Sequence, residues 1–205
     1  MDFELRTYAF IDSMQPQAAA HVASTSQGDV PVAGMSELFI EVAPGNLIFR
    51  CLDIALKAAD VRPALQIVER EFGLLEIHSH TPAEVQAAGQ AVLEFLGLKA
   101  EDRLRPKIAS KQFVSNVNPY QAQLINKWRK GNLLLPRSSL FVLEATPAAY
   151  VTLAGNEAEK AANISLIEVR AVGRFGRLFI SGTESEVQAA AAAAVAALEE
   201  CGGRE

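Results

Sequence analysis

Apolar and polar residues alternate along some stretches of the chain with the period of a strand, and along others they recur with the period of a helix. Residues from Leu5 to Ile11 alternate as a strand does, and Leu38 to Val42 reads as a second strand. Pro44 opens a helix whose Leu47, Cys51, Leu52, Ala55 and Ala59 share one apolar face. Strands near 64–68 and 73–78 follow, then a helix from Pro82 to Leu96. The same order then returns: strands over 108–114 and 140–144, a helix over 147–162, strands over 164–172 and 176–180, and an Ala-rich helix over 184–200. The pattern predicts an α/β (α+β) fold whose core is strand, helix, strand, hairpin, strand, helix, met twice.

The second half is a copy of the first. Glu41-Val-Ala-Pro44 is echoed by Glu144-Ala-Thr-Pro147, an offset of 103 in a chain of 205 residues. At the same offset Asp53, Lys57 and Asp60 fall on Asn156, Lys160 and Asn163, and Glu71-Phe72-Gly73 falls on Arg174-Phe175-Gly176. Upstream, Gln15-Pro16-Gln17 faces Asn118-Pro119-Tyr120. After a one-residue slip, Thr81 and Glu84 match Thr183 and Glu186, each pair in the Thr-x-x-Glu form of a helix capping box. A register held this long predicts two domains of one kind, 1–102 and 103–205.

Half of the residues are hydrophobic and a fifth charged, which is the composition of a packed protein. A formal net charge of −5 argues against a general binder of nucleic acid or anionic membrane, since such binders need a basic face. The acidic opening Met1-Asp2-Phe3-Glu4 fits neither a signal nor a transit peptide, and no apolar run is long enough to span a bilayer, so a cytoplasmic protein is expected. Cys51 and Cys201 are the only cysteines and lack the spacing of a disulfide framework or a zinc site. His78 and His80 form a His-x-His pair that reads as exposed, with too few neighbouring ligands for a metal. Lys99, Arg103, Arg105, Lys107 and Lys111, with Lys127, Arg129 and Lys130 around Trp128, read as solvated surface. With no Ser-His-Asp arrangement, phosphate-binding glycine loop or HExxH motif, the chain offers no residues for catalysis and calls for no cofactor.

The stretch from Ser139 to Ala145, with Ala154-Gly-Asn-Glu157 running on to Ile164 and Val172-Gly173-Arg174-Phe175-Gly176, resembles the bacterial microcompartment (BMC) shell domain. The first half adds Glu4-Leu-Arg-Thr-Tyr8, Asp12-Ser-Met-Gln15-Pro-Gln17, Glu41-Val-Ala-Pro-Gly45 and Val68-Glu69-Arg70-Glu71-Phe72-Gly73, which resemble the tandem-domain shell trimers of carboxysomes. The likeness covers nearly the whole chain. Asp102-Arg-Leu-Arg-Pro106-Lys and residues 120–126 look closer to the β-carboxysome branch than to the α branch. The resemblance implies two circularly permuted BMC domains, each a small antiparallel sheet flanked by helices. It also implies a homotrimer forming a pseudohexameric tile, possible stacking of two trimers, hexameric shell proteins as neighbours, and a gated central pore for ribulose bisphosphate and phosphoglycerate.

Glu69 and Arg70 lie in a polar run between the apolar Ile67–Val68 and Phe72-Gly73, where a hairpin loop is expected. The resemblance makes them the pore gate, with Arg70 drawing in small anionic metabolites and Glu69 neutralising it when the pore is shut. Gly173, Arg174, Phe175 and Gly176 form the matching loop of the second domain, where Arg174 stands in place of a small residue. Lys57 and Lys160, equivalent in the two repeats, are implied to sit on the tile edge; each also suits the C-terminal end of a helix. A shell trimer of another microcompartment and a small-molecule-sensing regulatory oligomer are the alternative readings.

Overall fold

The structure, a computed structural model, describes residues 3–205; Met1 and Asp2 of the acidic opening lie outside the described residues. Its contacts gather into two units, one of residues up to Arg105 with Gly202–Glu205, the other Pro106–Cys201. The last four residues, read above with the second domain, thus pack with the first. There Arg204 N–H donates to Arg103 O and Arg105 N–H donates to Arg204 O, both at 2.8 Å, while Leu104 N–H donates to Arg6 O at 3.2 Å.

The first unit runs β1 (Glu4–Ile11), α1 (Pro16–Thr25), β2 (Ser36–Ala43), α2 (Ile48–Ala58), β3 (Arg62–Glu69), β4 (Phe72–Ser79) and α3 (Pro82–Leu96). Its four strands are antiparallel in the order β1-β2-β4-β3. The second unit repeats this with β5 (Lys107–Val114), α4 (Pro119–Trp128), β6 (Ser139–Thr146), α5 (Tyr150–Ala161), β7 (Ser165–Arg170), β8 (Gly176–Gly182) and α6 (Glu184–Glu199), in the order β5-β6-β8-β7. The repeat extends to backbone detail. Ala43–Pro44 and Thr146–Pro147 are both cis, and left-handed residues recur in register, Gly34 with Arg137 and Arg70 with Gly173.

In the first unit α2 and α3 cover one face of the sheet. Leu38, Ile40, Val42, Leu75 and Ile77 meet Ile48, Cys51, Ala55, Val85 and Val92 in a single buried cluster, whose apolar area is the main driving force of the fold. Burial pushes the Cys51 thiol up to about 12, which leaves it protonated and unreactive at neutral pH. In the second unit the Ala-rich α6 lies close against α5, with Ala190 and Ala194 fully buried, as small side chains permit. The opposite face of the second sheet carries a separate cluster of Val117, Ala122, Ile125, Leu134, Leu140 and Ile167.

Several boundaries differ from the pattern reading. The helices after Pro44 and Pro147 begin only at Ile48 and Tyr150; a 3-10 turn over Gly45–Leu47 intervenes in the first unit. Two helices, α1 and α4, were not foreseen. Only Ala122 and Ile125 are buried in α4, so no apolar stripe marks it, and its start is set instead by Pro119 behind Asn118, whose side chain accepts from Tyr120 N–H. Of the two capping boxes, only that of Thr183 and Glu186 closes on itself. Thr81 makes no side-chain cap, and Glu84 instead accepts from Asp60 N–H at 2.8 Å.

Candidate functional site

Glu69 ends β3 and pairs with Phe72 across the β3–β4 ladder, so Arg70 and Glu71 alone make the turn. Two-residue hairpin turns that match strand twist need left-handed backbone, and Arg70 adopts it with φ +55°. A non-glycine residue there costs on the order of 1 kcal/mol. The repeat places Gly173, φ +91°, at the same point, where the conformation is nearly free. Arg70 is 89% exposed and its Nε lies 3.8 Å from Glu69 Oε1, with Glu69 half exposed. The tip therefore presents a guanidinium held loosely by one carboxylate.

Beside the turn opens a cleft of about 590 Å³, bordered by Arg6, Pro44, Gly45, Asn46, Arg70 and Phe72 among others. Its floor is stiff. Arg6 of β1 is buried, bonds Glu41 Oε1 at 2.7 Å and Glu4 Oε2 at 3.0 Å, and stacks its guanidinium 3.6 Å from the Phe72 ring centroid. Glu41 and Glu144 are repeat equivalents, yet their counter-charges come from different strands. Glu144 pairs with Arg177 of β8 at 2.6 Å, where the first unit has Leu74. Each carboxylate is compensated, Glu41 as a buried charge requires and Glu144 from a partly exposed position.

In the second unit the loop between β7 and β8 is longer, spanning 171–175. It holds Gly173, Arg174 and Phe175, with the Arg174 guanidinium 5.5 Å from the Phe175 ring, and ends at Gly176, the first residue of β8. The charged pair Glu69–Arg70 thus has Val172–Gly173 as its counterpart, and the second loop's charge sits one residue later, on Arg174.

Lys57 and Lys160 lie in the last turns of α2 and α5. Lys57 is well exposed and reaches Asp53 at 2.7 Å, whereas Lys160 is less exposed and reaches Glu157 at 2.7 Å. On the outer surface of α2, Phe49 and Leu56 are also exposed.

The expectation of exposed histidines holds for His80 and fails for His78, which is fully buried. His78 bonds Glu76 through Nδ1 at 3.1 Å and Asp29 through Nε2 at 3.2 Å. Counting apolar positions could not have found this network, because Asp29 comes from a loop far along the chain. The signal was the presence of Glu37 and Glu41 inside the run Ser36–Ala43, where seven of eight residues are buried. Among the described residues, no group of three or more His, Cys, Asp or Glu side chains is placed to hold a metal ion, and no helix is long and apolar enough to cross a membrane.

Comparison with known proteins places this arrangement. Residues 5–102 match the family model of the CsoS1D N-terminal domain, and residues 139–204 match the BMC domain. Over the whole chain, a fused permuted hexameric shell protein of the RMM microcompartment superposes with a TM-score of 0.95 at 43% identity, covering 98% of this chain and 100% of that one. A double-ringed trimeric shell protein of the same microcompartment superposes with a TM-score of 0.96 at 37% identity, both chains being covered fully. The fold thus defines a shell protein of two fused, permuted BMC domains. The carboxysome shell protein CcmP of Synechococcus elongatus is 50% identical over 205 residues, 100% of this chain and 96% of that protein. The carboxysome shell protein CsoS1D of Hydrogenovibrio crunogenus is 47% identical over 197 residues, 96% of each chain. The chain belongs to this family of carboxysome shell proteins.

Proposed function

We propose that the protein is a non-catalytic tile of the carboxysome shell, a homotrimer whose six domains form a pseudohexagonal ring around a pore rimmed by Arg70 and Glu69. The observation that carries this reading is Arg70 itself. A long cationic side chain occupies a left-handed turn position where the repeat uses Gly173, and strain retained at one copy of a repeat points to use of that side chain. Three guanidiniums around one opening attract small anions, and phosphorylated sugars and acids of the ribulose bisphosphate and phosphoglycerate class match that charge. Glu69, close enough to pair with Arg70, offsets that charge when the two meet. The loop from Gly173 to Gly176 lines the alternate positions, where Arg174 adds a second cation. Carboxysome relatives at 50% and 47% identity favour this shell over that of another microcompartment.

Tiles must also meet edge to edge. Lys57 at the end of α2, beside the exposed Phe49 and Leu56, and Lys160 at the end of α5 are the edge residues in this reading. The double change Lys57→Asp and Lys160→Asp is expected to leave trimers intact on sizing chromatography and to abolish ordered sheets in negative-stain images. Sheets from the double variant would remove the edge assignment.

Two rings stack, in this reading, through the faces that carry α1 and α4. Tyr120 and Leu124 lie one helical turn apart on α4, 79% and 67% exposed, and Leu133 and Leu135 of the following loop are exposed beyond them. Val30 and Val32, also exposed, sit at the matching points of the first unit. Apolar groups repeated in register on one kind of surface mark a contact with another protein. Leu124→Asp together with Leu135→Asp is expected to halve the mass of the assembly by light scattering, from double to single rings; an unchanged mass would move the stacking surface elsewhere.

A further inference from the structure

The face of the first sheet under α1 carries Glu37, Glu76 and His78, whereas on the same face of the second sheet the buried acid is Glu168 of β7, which pairs with Arg170 and accepts from Lys130 N–H. Leu38, Ile40 and Val42 enter the core with α2 and α3, so strand alternation turns Glu37, Phe39 and Glu41 the other way. Glu37 stands opposite His78 and Phe39 opposite Glu76 in the β2–β4 register. Glu37 and Glu76 are therefore diagonal neighbours on one face, within reach of long side chains. Both are buried, at 1% and 0% exposure. Glu76 accepts from Ala64 N–H of β3 at 2.8 Å and meets His78, whereas Glu37 Oε2 is buried without a hydrogen-bond partner. The second unit has Leu140, Phe179 and Ser181 where the first has Glu37, Glu76 and His78.

The other groups around this cluster are few. Asp29 comes from the loop after α1 and reaches His78. Arg62 of β3 stands opposite His78 and is exposed. The layer of α1 contributes the buried His21, and β1 places Ile11 opposite Glu37. Burial first, and the charge of Glu76 second, hold the Glu37 carboxyl well above the usual carboxylate range. Burial also raises Glu76, against the pull of His78 and of the Ala64 amide. Burial alone would lower His78, but its bond to Glu76 and the charges of Glu76 and Asp29 outweigh that and raise it.

We propose that Glu37, Glu76, His78 and Asp29 form a proton lock: a proton on the buried Glu37–Glu76 pair, with an imidazolium at His78 bridging Glu76 to Asp29, keeps α1 and its following loop seated on the first sheet, and loss of these protons loosens them. The loop is held by Gln27 N–H donating to Ala64 O at 2.8 Å and Asp29 N–H to Pro63 O at 2.9 Å, next to the charges that would change. The sign follows from linkage. Each group binds its proton more tightly folded than unfolded, so its contribution is full below its ordinary value, 4.5 for the carboxyls and 6.5 for the imidazole, and is lost as pH rises through the raised values.

Hydrogen exchange on the intact assembly between about pH 6 and 9, with rates corrected for intrinsic exchange, tests this. Protection over residues 16–29 is expected to fall with rising pH by up to about tenfold per unit for each linked proton, while α4 in the second unit stays flat. Glu37→Gln, which keeps the shape of the neutral acid, and Glu37→Leu, which copies Leu140, should both reduce the first-unit slope by the share of the Glu37 proton, leaving that of Glu76 and His78. A wild-type profile over 16–29 as flat as that of α4 would overturn the lock even if neither variant folded. So would variants that keep the wild-type slope.

Discussion

Alanine at Gly73 or at Gly176 is expected to lower the melting temperature of the unit that carries it by roughly 10–25 °C. A Cβ on Gly73 would run into the carbonyl oxygen of Gly45 and stand 2.7 Å from Ile48 Cβ. At Gly176 it would run into the carbonyl oxygen of Ala148 and stand 2.9 Å from Val151 Cγ1. In both units the obstacle is backbone, which cannot rotate aside as a side chain can. Overpacking of ordinary cores costs about 1–3 kcal/mol and sometimes more. At the top of that range, about 3 kcal/mol in a domain of about 100 residues gives the stated shift, at about 4–8 °C per kcal/mol. Gly97 provides the control. It is left-handed at φ +66°, with nothing within 4 Å of an added Cβ, so Gly97→Ala meets only the conformational cost of about 1 kcal/mol. Calorimetric scans of the three variants check this; a shift at Gly73 no larger than at Gly97 would mean that the approach of β4 to the Gly45 turn is looser than described.

Removal of the Arg70 guanidinium is expected to weaken binding of a phosphate ester at the pore by about 1–3 kcal/mol, the scale of charge-assisted hydrogen bonds. If three copies ring one opening, three charges are lost from a narrow site whose effective dielectric is below that of water. Glu69→Ala should act the other way, leaving Arg70 unpaired and the rim more cationic, so that anion binding strengthens. Neutral solutes should be nearly unaffected by either change. Because Arg70 is left-handed, Arg70→Gly is a cleaner deletion than Arg70→Ala: it keeps the turn as Gly173 does in the second unit and separates loss of charge from loss of fold. Calorimetric titration with ribulose bisphosphate at fixed ionic strength reads the signs, since salt screens the effect. Unchanged binding in both the Glu69 and Arg70 variants would place the pair away from the pore.

The sequence carried the repeat, and with it most of the fold, because the same apolar spacing returns at 103 residues, as alternation in Leu5–Ile11 and as short apolar runs such as Leu38–Ile40 and Leu140–Leu143. It did not carry α1 and α4. Both are only ten residues long, and their buried faces, Ala18, Ala19, His21 and Val22 in α1 and Ala122 and Ile125 in α4, are built largely from small or polar side chains that mark a periodic stripe weakly. The hairpin position of Glu69 and Arg70 followed from a polar run between apolar strands, but the left-handed backbone of Arg70 became legible only by setting it against Gly173. The buried place of His78, beside Glu76, was hidden because local pattern treats a histidine at a strand end as surface. The helix and loop that bury it are contributed by residues 16–29, far away along the chain. Partner exchange at Glu41 and Glu144, served by Arg6 in one unit and Arg177 in the other, was likewise hidden, since it depends on which neighbouring strand supplies the cation.

An electron cryomicroscopy map of the purified wild-type assembly, at a resolution that traces side chains, bears most directly on the tile. The expected particle is a ring of three chains with a hexagonal outline, in which the three β3–β4 hairpins converge and their Arg70 and Glu69 side chains surround the three-fold axis. A ring that carries these hairpins on its outer rim, or a protein that remains a single chain at assembly concentrations, would contradict the assignment of the pore.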